Sequence, residues 1–378
     1  LKEFSYAIEE SSHGPHCITD CAFIGFPVER TMSKIRLAVL FGGISGEHEV
    51  SCLSAASILK NLDPARYEVL PVGVSKTGQW YLQPAWNGRA LAVIENPSQE
   101  VSVHPGRGFS VGSHRLVLDA VFPITHGVQG EDGKIQGLLE CAGVPYAGAG
   151  VLASALGMDK AYAKLIWEAQ GLPVVPSVVV DEKELQTDSE RTAAYRRAVQ
   201  TLGSPLFVKP SNSGSSVGVT KVCSLDEFGP ALKAAFAVDR RVLIETAIDA
   251  REIEVAVLGG ADARAYGPGE VVPTHEFYDY EAKYTDPDGA DLVIPAVLET
   301  AVSARVLELA VKAYQALGTT GFARVDFFVG KASKEIWINE INTLPGFTTI
   351  SMFPRMAMHG GMTYPQVLDA IVDQALLK

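Results

Sequence analysis

The residues best equipped for chemistry lie in Gly321–Ser351, GFARVDFFVGKASKEIWINEINTLPGFTTIS. Asp326, Glu340 and Asn342 offer two carboxylates and one amide carbonyl. Such an all-oxygen donor set suits Mg²⁺ or Mn²⁺, with nucleotide phosphates completing the shell. Arg324 stands two residues before Asp326, hence on the same face of an extended chain, where a guanidinium can brace a developing oxyanion. The competing account is an antiparallel hairpin carrying a few solvated charges. The pattern R-x-D…E-x-N-x-x-P-G is richer than that account requires.

These side chains converge only if the backbone is extended and paired. Val325, Phe327 and Val329 alternate with Asp326 and Phe328, while Ile336, Ile338 and Ile341 flank Glu340 and Asn342. The spacing predicts two adjacent strands joined by a short turn. Upstream, Ile35–Phe41 reads as a buried strand running into Gly42–Glu49, GGISGEHE, and a helix from Val50 to about Asn61. Strand, Gly-rich turn and helix make an anion-ready terminus, but Glu47 and Glu49 would repel phosphate. Two readings stay open: a site for a cation such as a substrate ammonium, or charge compensation at the helix N-terminus. Tyr67–Val74 and Leu116–Ile124 read as further strands, the second ending at His126 in HGVQGEDGKIQGLLE. A polar Gly-rich loop at the C-terminal end of a strand is where open α/β sheets bind ligands. His126 is therefore a candidate, set against the commoner solvated loop histidine. Gly148–Ala153 fits G-x-G-x-x-A, but its preceding strand is very short; packing of strand on helix explains its glycines.

Asp159-Lys160 opens a helix through Ala169, Pro173–Val180 is extended, and Glu182–Leu202 reads as a second helix. Pro205–Pro210 is a strand carrying Lys209, leading through Ser211–Gly218, SNSGSSVG, to a strand ending at Val222. A lysine beside a flexible Gly/Ser loop fits phosphate binding by a point charge and backbone N–H groups, although no G-x-x-x-x-G-K-[ST] occurs. Arg241–Ile248 reads as a strand with a hinge-like exit and Glu252–Leu258 as another strand. The polar, aperiodic stretch from His275 to about Asp291 reads as a lid. Val302–Leu317 and Tyr364–Leu377 read as helices.

The 378 residues are 47% apolar and 20% charged, with a net charge of −12. That balance describes a globular protein and argues against broad binding to nucleic acid or anionic membrane. Five cysteines without a CxxC pair suggest reduced thiols, and no apolar run is long enough to span a bilayer. Residues 1–32 read as a disordered leader, with folding expected from about Ser33. His13, His16, Cys17 and Cys21 lack the second ligand pair of a zinc finger.

The motifs GGISGEHEVS, HGVQGEDGKIQGLLE, MDK, FVKPSNSGSSVGV, YDYEAKY, R-x-D and NEINTLPG occur in this order. Together they resemble the D-alanine–D-alanine ligases of the ATP-grasp fold over nearly all of Ser33–Lys378. The resemblance implies an α/β (α+β) architecture with an N-terminal open parallel-sheet domain (33–150), a central ATP-grasp subdomain (151–244) and a C-terminal one (245–378) with a lid at 276–292. It implies ATP as co-substrate, D-alanine as substrate and two Mg²⁺ or Mn²⁺ ions on Asp326, Glu340 and Asn342. Lys160, Lys209 and Lys283 would meet the phosphates, Glu245 and Ile248 the adenine, Glu252 the ribose, and Phe277 would complete the nucleotide site. Glu47 would hold the first ammonium, beside His126; Ser215 and Tyr284 would link Glu47 to the lid. Arg324 and the Gly346 N–H would donate to the oxyanion, and Ser351 and Met352 would take the second carboxylate. A cytoplasmic homodimer serving peptidoglycan precursor synthesis follows from the same resemblance. Met352 replaces a common leucine, Asn212-Ser213 replaces a charged pair, and Phe347-Thr348-Thr349 varies the loop at the second subsite. The rival readings are a D-alanine–D-lactate ligase, disfavoured by Tyr284, another carboxylate–amine ligase, and an inactive nucleotide-binding regulator, disfavoured by the complete set of lysines and metal ligands.

Overall fold

The computed structural model describes residues 34–273 and 290–377, which belong to one compact unit. Phe277, Lys283, Tyr284, most of the proposed lid and the expected leader lie outside the described residues.

The first strand, β1 (Ile35–Gly42), is buried over its last six residues, as its unbroken apolar run demands of a strand covered on both faces. It continues into α1 (His48–Asn61) and returns as β2 (Tyr67–Val74) and β3 (Trp80–Leu82). A separate three-stranded sheet follows, with β4 (Val101–His104), β5 (Gly108–Val111) and β6 (His114–Leu116). The chain then rejoins the first sheet as β7 (Ala120–Pro123), giving the order β3-β2-β1-β7 with β1 parallel to both neighbours. The strand expected over Leu116–Ile124 is thus two strands in two sheets. Asp119 interrupts it, accepting from the Arg36 N–H at 2.7 Å. Because β2 and β7 leave β1 on opposite sides, the carboxyl ends of β1 and β7 form a switch-point crevice. Residues 127–133 then turn into α2 (Lys134–Ala142), a helix where sequence suggested only loop.

α3 (Val151–Met158) and α4 (Lys160–Ala169) lead to a four-stranded antiparallel sheet. Its strands are β8 (Ser177–Asp181), β9 (Leu206–Pro210), β10 (Thr220–Val222) and β11 (Arg241–Thr246), ordered β10-β9-β11-β8. The helix expected over Glu182–Leu202 is a single 3₁₀ turn followed by α5 (Asp188–Leu202). Thr187 and Glu190 form a capping box that fixes the later start. α6 (Leu225–Phe236) was hidden from the sequence reading by its internal Gly229-Pro230. One face of this sheet packs on α5 and α6 through Val208, Val242, Ile244 and Phe228; the other carries Lys209.

The largest sheet runs β14-β13-β12-β15-β16 and is antiparallel throughout. Its strands are β12 (Ala250–Gly259), β13 (Arg264–Pro273), β14 (Ala290–Val293), β15 (Gly321–Gly330) and β16 (Ile336–Asn342). α7 (Thr300–Ala316) covers one face, over Val255, Val257, Val325 and Phe327. Gly321 has φ +79, and a Cβ there would stand 2.9 Å from the Gly148 backbone, so two backbones meet where no side chain fits. α8 (Met352–His359) and α9 (Tyr364–Leu376) close the fold. Phe122, Phe322, Phe347 and Phe353 interlock with ring centroids 5.4–6.0 Å apart, joining the first sheet to the last. No helix among the described residues is long and apolar enough to cross a membrane.

Candidate functional site

The two acids of the first loop separate. Glu49 pairs with Lys76 at 2.5 Å on the surface, the helix-end role. Glu47 is turned inward, where its Oε1 accepts from Ser215 Oγ at 2.7 Å, 168 residues away. Ser45 Oγ supports this turn, accepting from the Glu47 N–H at 3.2 Å and donating to His126 O at 2.7 Å. Gly127 has φ +72, which favours glycine, and a Cβ there would come within 2.6 Å of Glu47 Oε2 and displace that carboxylate. Ser215 and Ser216 both adopt left-handed φ, +51 and +59, an uncommon conformation for non-glycine residues.

His126 is buried, not solvated. Its Nδ1 faces Leu344 O at 3.0 Å and its Nε2 faces Ser54 Oγ at 3.0 Å. Burial alone would lower its pKa, but Glu131, Glu47 and the Leu344 carbonyl outweigh it and hold the value above the ordinary one. Glu131 is itself pushed up by burial.

Lys160 starts α4, where Asp159 caps the helix by accepting from the Tyr162 N–H. The Lys160 Nζ donates to Ser213 O at 2.6 Å and lies 3.1 Å from Glu340 Oε2. One turn on, Lys164 shares that helix face; its Nζ is 2.9 Å from Glu245 Oε1, while Lys209 Nζ is 2.6 Å from Oε2. Burial pushes Lys164 down to about 8, against the pull of Glu245. Burial would raise Glu245, yet the two lysines hold it below the usual carboxylate range. Sequence reading missed Lys164; its i+4 offset from Lys160 was the available signal.

Across the large sheet Glu254, Asp326 and Glu340 occupy one row of directly opposed positions, on the face away from α7. Like charges so placed destabilise a sheet. Arg324 answers the first two: Nε and Nη2 each donate to an Asp326 oxygen at 2.7 Å, and Nε lies 3.2 Å from Glu254 Oε2. Burial would lower its pKa, but Asp326 and Glu254 raise it well above normal. The register shifts after Asp326, so Asn339 becomes an extra residue in β16, a bulge of the kind that re-aims side chains. Lys209 Nζ meets Asn339 Oδ1 at 3.2 Å. Asn342, opposite Arg324, accepts from the Leu344 N–H at 3.2 Å. Glu254 and Asn339 were not singled out from sequence, because neither the register nor the bulge is visible there.

Among the described residues no three His, Cys, Asp or Glu side chains cluster tightly enough to hold a metal. The donor set that fits is mixed: Asp326, Glu340 and the Asn342 amide oxygen, which has a second lone pair. The acid row Glu254–Asp326–Glu340, met by Arg324 and Lys160, presents the oxygen donors that a divalent cation takes.

Glu252 lies on the same face as Glu254, opposite Phe328, and Ile248 is half-buried just past β11. The loop after β16 brings Gly346 against Ser351, where a Cβ would meet Ser351 Oγ at 2.7 Å and force that hydroxyl to move. Ser351 Oγ accepts from the Thr348 N–H at 2.9 Å. The Met352 side chain is buried in the core; only its backbone N–H, at the start of α8, faces a helix-terminus role. The contacts form a closed circuit: Glu47 to Ser215, Ser213 to Lys160, Lys160 to Glu340, Asn342 to Leu344, Leu344 to His126, and His126 through Ser45 back to Glu47.

Residues 36–149 match the profile of the D-ala D-ala ligase N-terminus and residues 166–373 that of the D-ala D-ala ligase C-terminus. A D-alanine–D-alanine ligase of Treponema denticola is 42% identical over 90% of this chain and 96% of its own. One from a Thermoanaerobacter species is 46% identical over 91% and 97%. Among solved structures, the D-alanine-D-alanine ligase of Coxiella burnetii superposes with a TM-score of 0.79 at 34% identity, covering 91% of this chain and 94% of that one. The VanG D-Ala:D-Ser ligase of Enterococcus faecalis gives 0.77 at 34%, covering 91% and 100%.

Proposed function

The chain belongs to the D-alanine–D-alanine ligase family, and from that membership and the site's geometry we propose how it works. It is an ATP-dependent ligase that joins two D-alanines. A carboxylate oxygen of the first D-alanine attacks the γ-phosphorus of ATP, and ADP leaves. The amine of the second attacks the resulting acyl carbon, loses a proton, and phosphate departs with the acyl C–O bond. The observation that carries this reading is the acid row Glu254–Asp326–Glu340 flanked by Arg324 and Lys160. It is a surface built for a charge-dense polyanion and its counter-ions.

In this proposal Glu47, steadied by Ser215, holds the first ammonium beside His126. Lys160, Lys209 and Lys283 draw the phosphates, while Glu245, Ile248, Glu252 and Phe277 receive the nucleoside. Arg324 and the Gly346 N–H face the oxyanion, and Ser351 with the Met352 N–H receives the second carboxylate. Tyr284 and the 276–292 segment exclude water from the acyl phosphate. Asp326, Glu340 and Asn342 would hold two Mg²⁺ or Mn²⁺ ions, whose contribution is to neutralise phosphate charge. The proposal extends to functional segments at 33–150, 151–244 and 245–378, and to a cytoplasmic homodimer.

ADP release measured with D-alanine, L-alanine and D-lactate tests the reading. Release with D-alanine alone, abolished by a chelator and restored by Mg²⁺, is the expected result. Equal release with L-alanine, or none with D-alanine, would overturn it.

A further inference from the structure

Gly346 lies between two peptide groups that are held from the first sheet. On one side Leu344 O accepts from His126 Nδ1 at 3.0 Å; on the other the Phe347 N–H donates to Ser54 Oγ at 3.2 Å. The anchors are joined, because Ser54 Oγ is 3.0 Å from His126 Nε2. One turn along the same face of α1, Ser57 Oγ donates to Tyr364 OH at 3.0 Å, and Tyr364 OH donates to Phe347 O at 2.8 Å. Both backbone polar groups of Phe347 therefore trace back to two serines of α1.

A serine inside a helix is ordinarily neutral to unfavourable for the helix, and alanine serves better. Ser54 is fully buried, yet its oxygen is engaged outside its own helix. What it holds is the peptide adjoining Gly346. Pro345 has a fixed φ, but Gly346 has the freest backbone of any residue. Without restraint on Phe347, the Gly346 N–H would swing.

We propose that Ser54, supported by Ser57 and Tyr364, is a positioning residue that keeps the Gly346 N–H aimed at the oxyanion formed when the second amine attacks. The proposal rests on the reading of Gly346 as an oxyanion donor. Ser54 touches no substrate; it acts by restricting the segment Pro345–Phe347. Its loss should weaken ligation more than the preceding phosphoryl transfer, which does not use this donor.

The test is Ser54→Ala and Tyr364→Phe in the full chain, with dipeptide and ADP counted separately. For Ser54→Ala, dipeptide turnover is expected to fall about 10- to 100-fold, the scale set by misplacing a catalytic group by about 1 Å. D-alanine-dependent ADP release should fall less, so the ratio of ADP to dipeptide rises above that of the wild type. The KM for ATP should stay near wild type, while the melting temperature falls modestly because the buried Phe347 N–H loses its acceptor. Tyr364→Phe should shift the ratio in the same direction, and it carries the test should Ser54→Ala not fold. Unchanged dipeptide turnover in both variants, or ADP and dipeptide falling in equal proportion, would overturn the proposal while leaving the ligase reading intact. A wild-type chain releasing no ADP with D-alanine would overturn the reading itself, and this proposal with it.

Discussion

Replacing Lys164 by methionine should stabilise the protein while impairing its use of ATP. Lys164 is 2% exposed and shares the single carboxylate of Glu245 with Lys209. Burial lowers its pKa from 10.5 to about 8 even with Glu245 at 2.9 Å and some help from Glu340; Lys209 pushes the same way as burial. At roughly 1.4 kcal/mol per unit, holding this ammonium charged in the folded state costs about 3 kcal/mol at neutral pH. Methionine preserves the stem and removes that cost, while Glu245 keeps Lys209. Lys164→Met is therefore expected to gain about 2–3 kcal/mol at pH 7, a little less than the full sum because Val175 O loses its 3.4 Å contact. The sign reverses nothing at higher pH but removes the difference. Between about 8 and 10.5 the unfolded wild type still binds the proton that the folded state has released, so wild-type stability rises with pH there. The advantage of the variant should shrink across that window. Urea denaturation of both proteins at several pH values measures it. A variant less stable at pH 7, or a difference independent of pH, would refute the reasoning. The KM for ATP should rise, because Glu245 loses one of its two fixed partners.

Arg324→Ala should lower kcat by about 10²–10³, the usual effect of losing one oxyanion donor, with near-normal ATP affinity by equilibrium titration. It should also destabilise the fold by about 3 kcal/mol, since Asp326 and Glu254 lose their shared cation; a fully active variant would disprove the role. Gly321→Ala forces a side chain into positive φ and against the Gly148 backbone, so it should lose more than about 1 kcal/mol, read as a lower urea midpoint.

Much of the candidate site's layout was legible because the elements that place its residues are local in sequence. Asp326, Glu340 and Asn342 sit on strands whose apolar alternation predicts which side faces the core, and the register places Asp326 opposite Glu340 as expected. Lys209 at the end of β9, Glu47 after β1 and the helix beginning at Lys160 follow the same logic of element plus terminus. Misreadings arose where local signals conflict: Asp119 dividing β6 from β7, Thr187 starting α5 late, and Gly229-Pro230 concealing α6.

The order of motifs, the period of the strands and the ionisable side chains were settled by the one-dimensional chain, since each depends on residues a few positions apart. Which acid of Glu47 and Glu49 turns inward was decided only by folding. So were the sharing of Glu245 by two lysines, the third carboxylate Glu254 beside Asp326, and the reach of Ser54 to Phe347. Those are contacts across 36 to 293 residues or across unstated strand registers. Their energies depend on burial and on what else competes for the same oxygen or proton, quantities that exist only once the sheets and helices have packed.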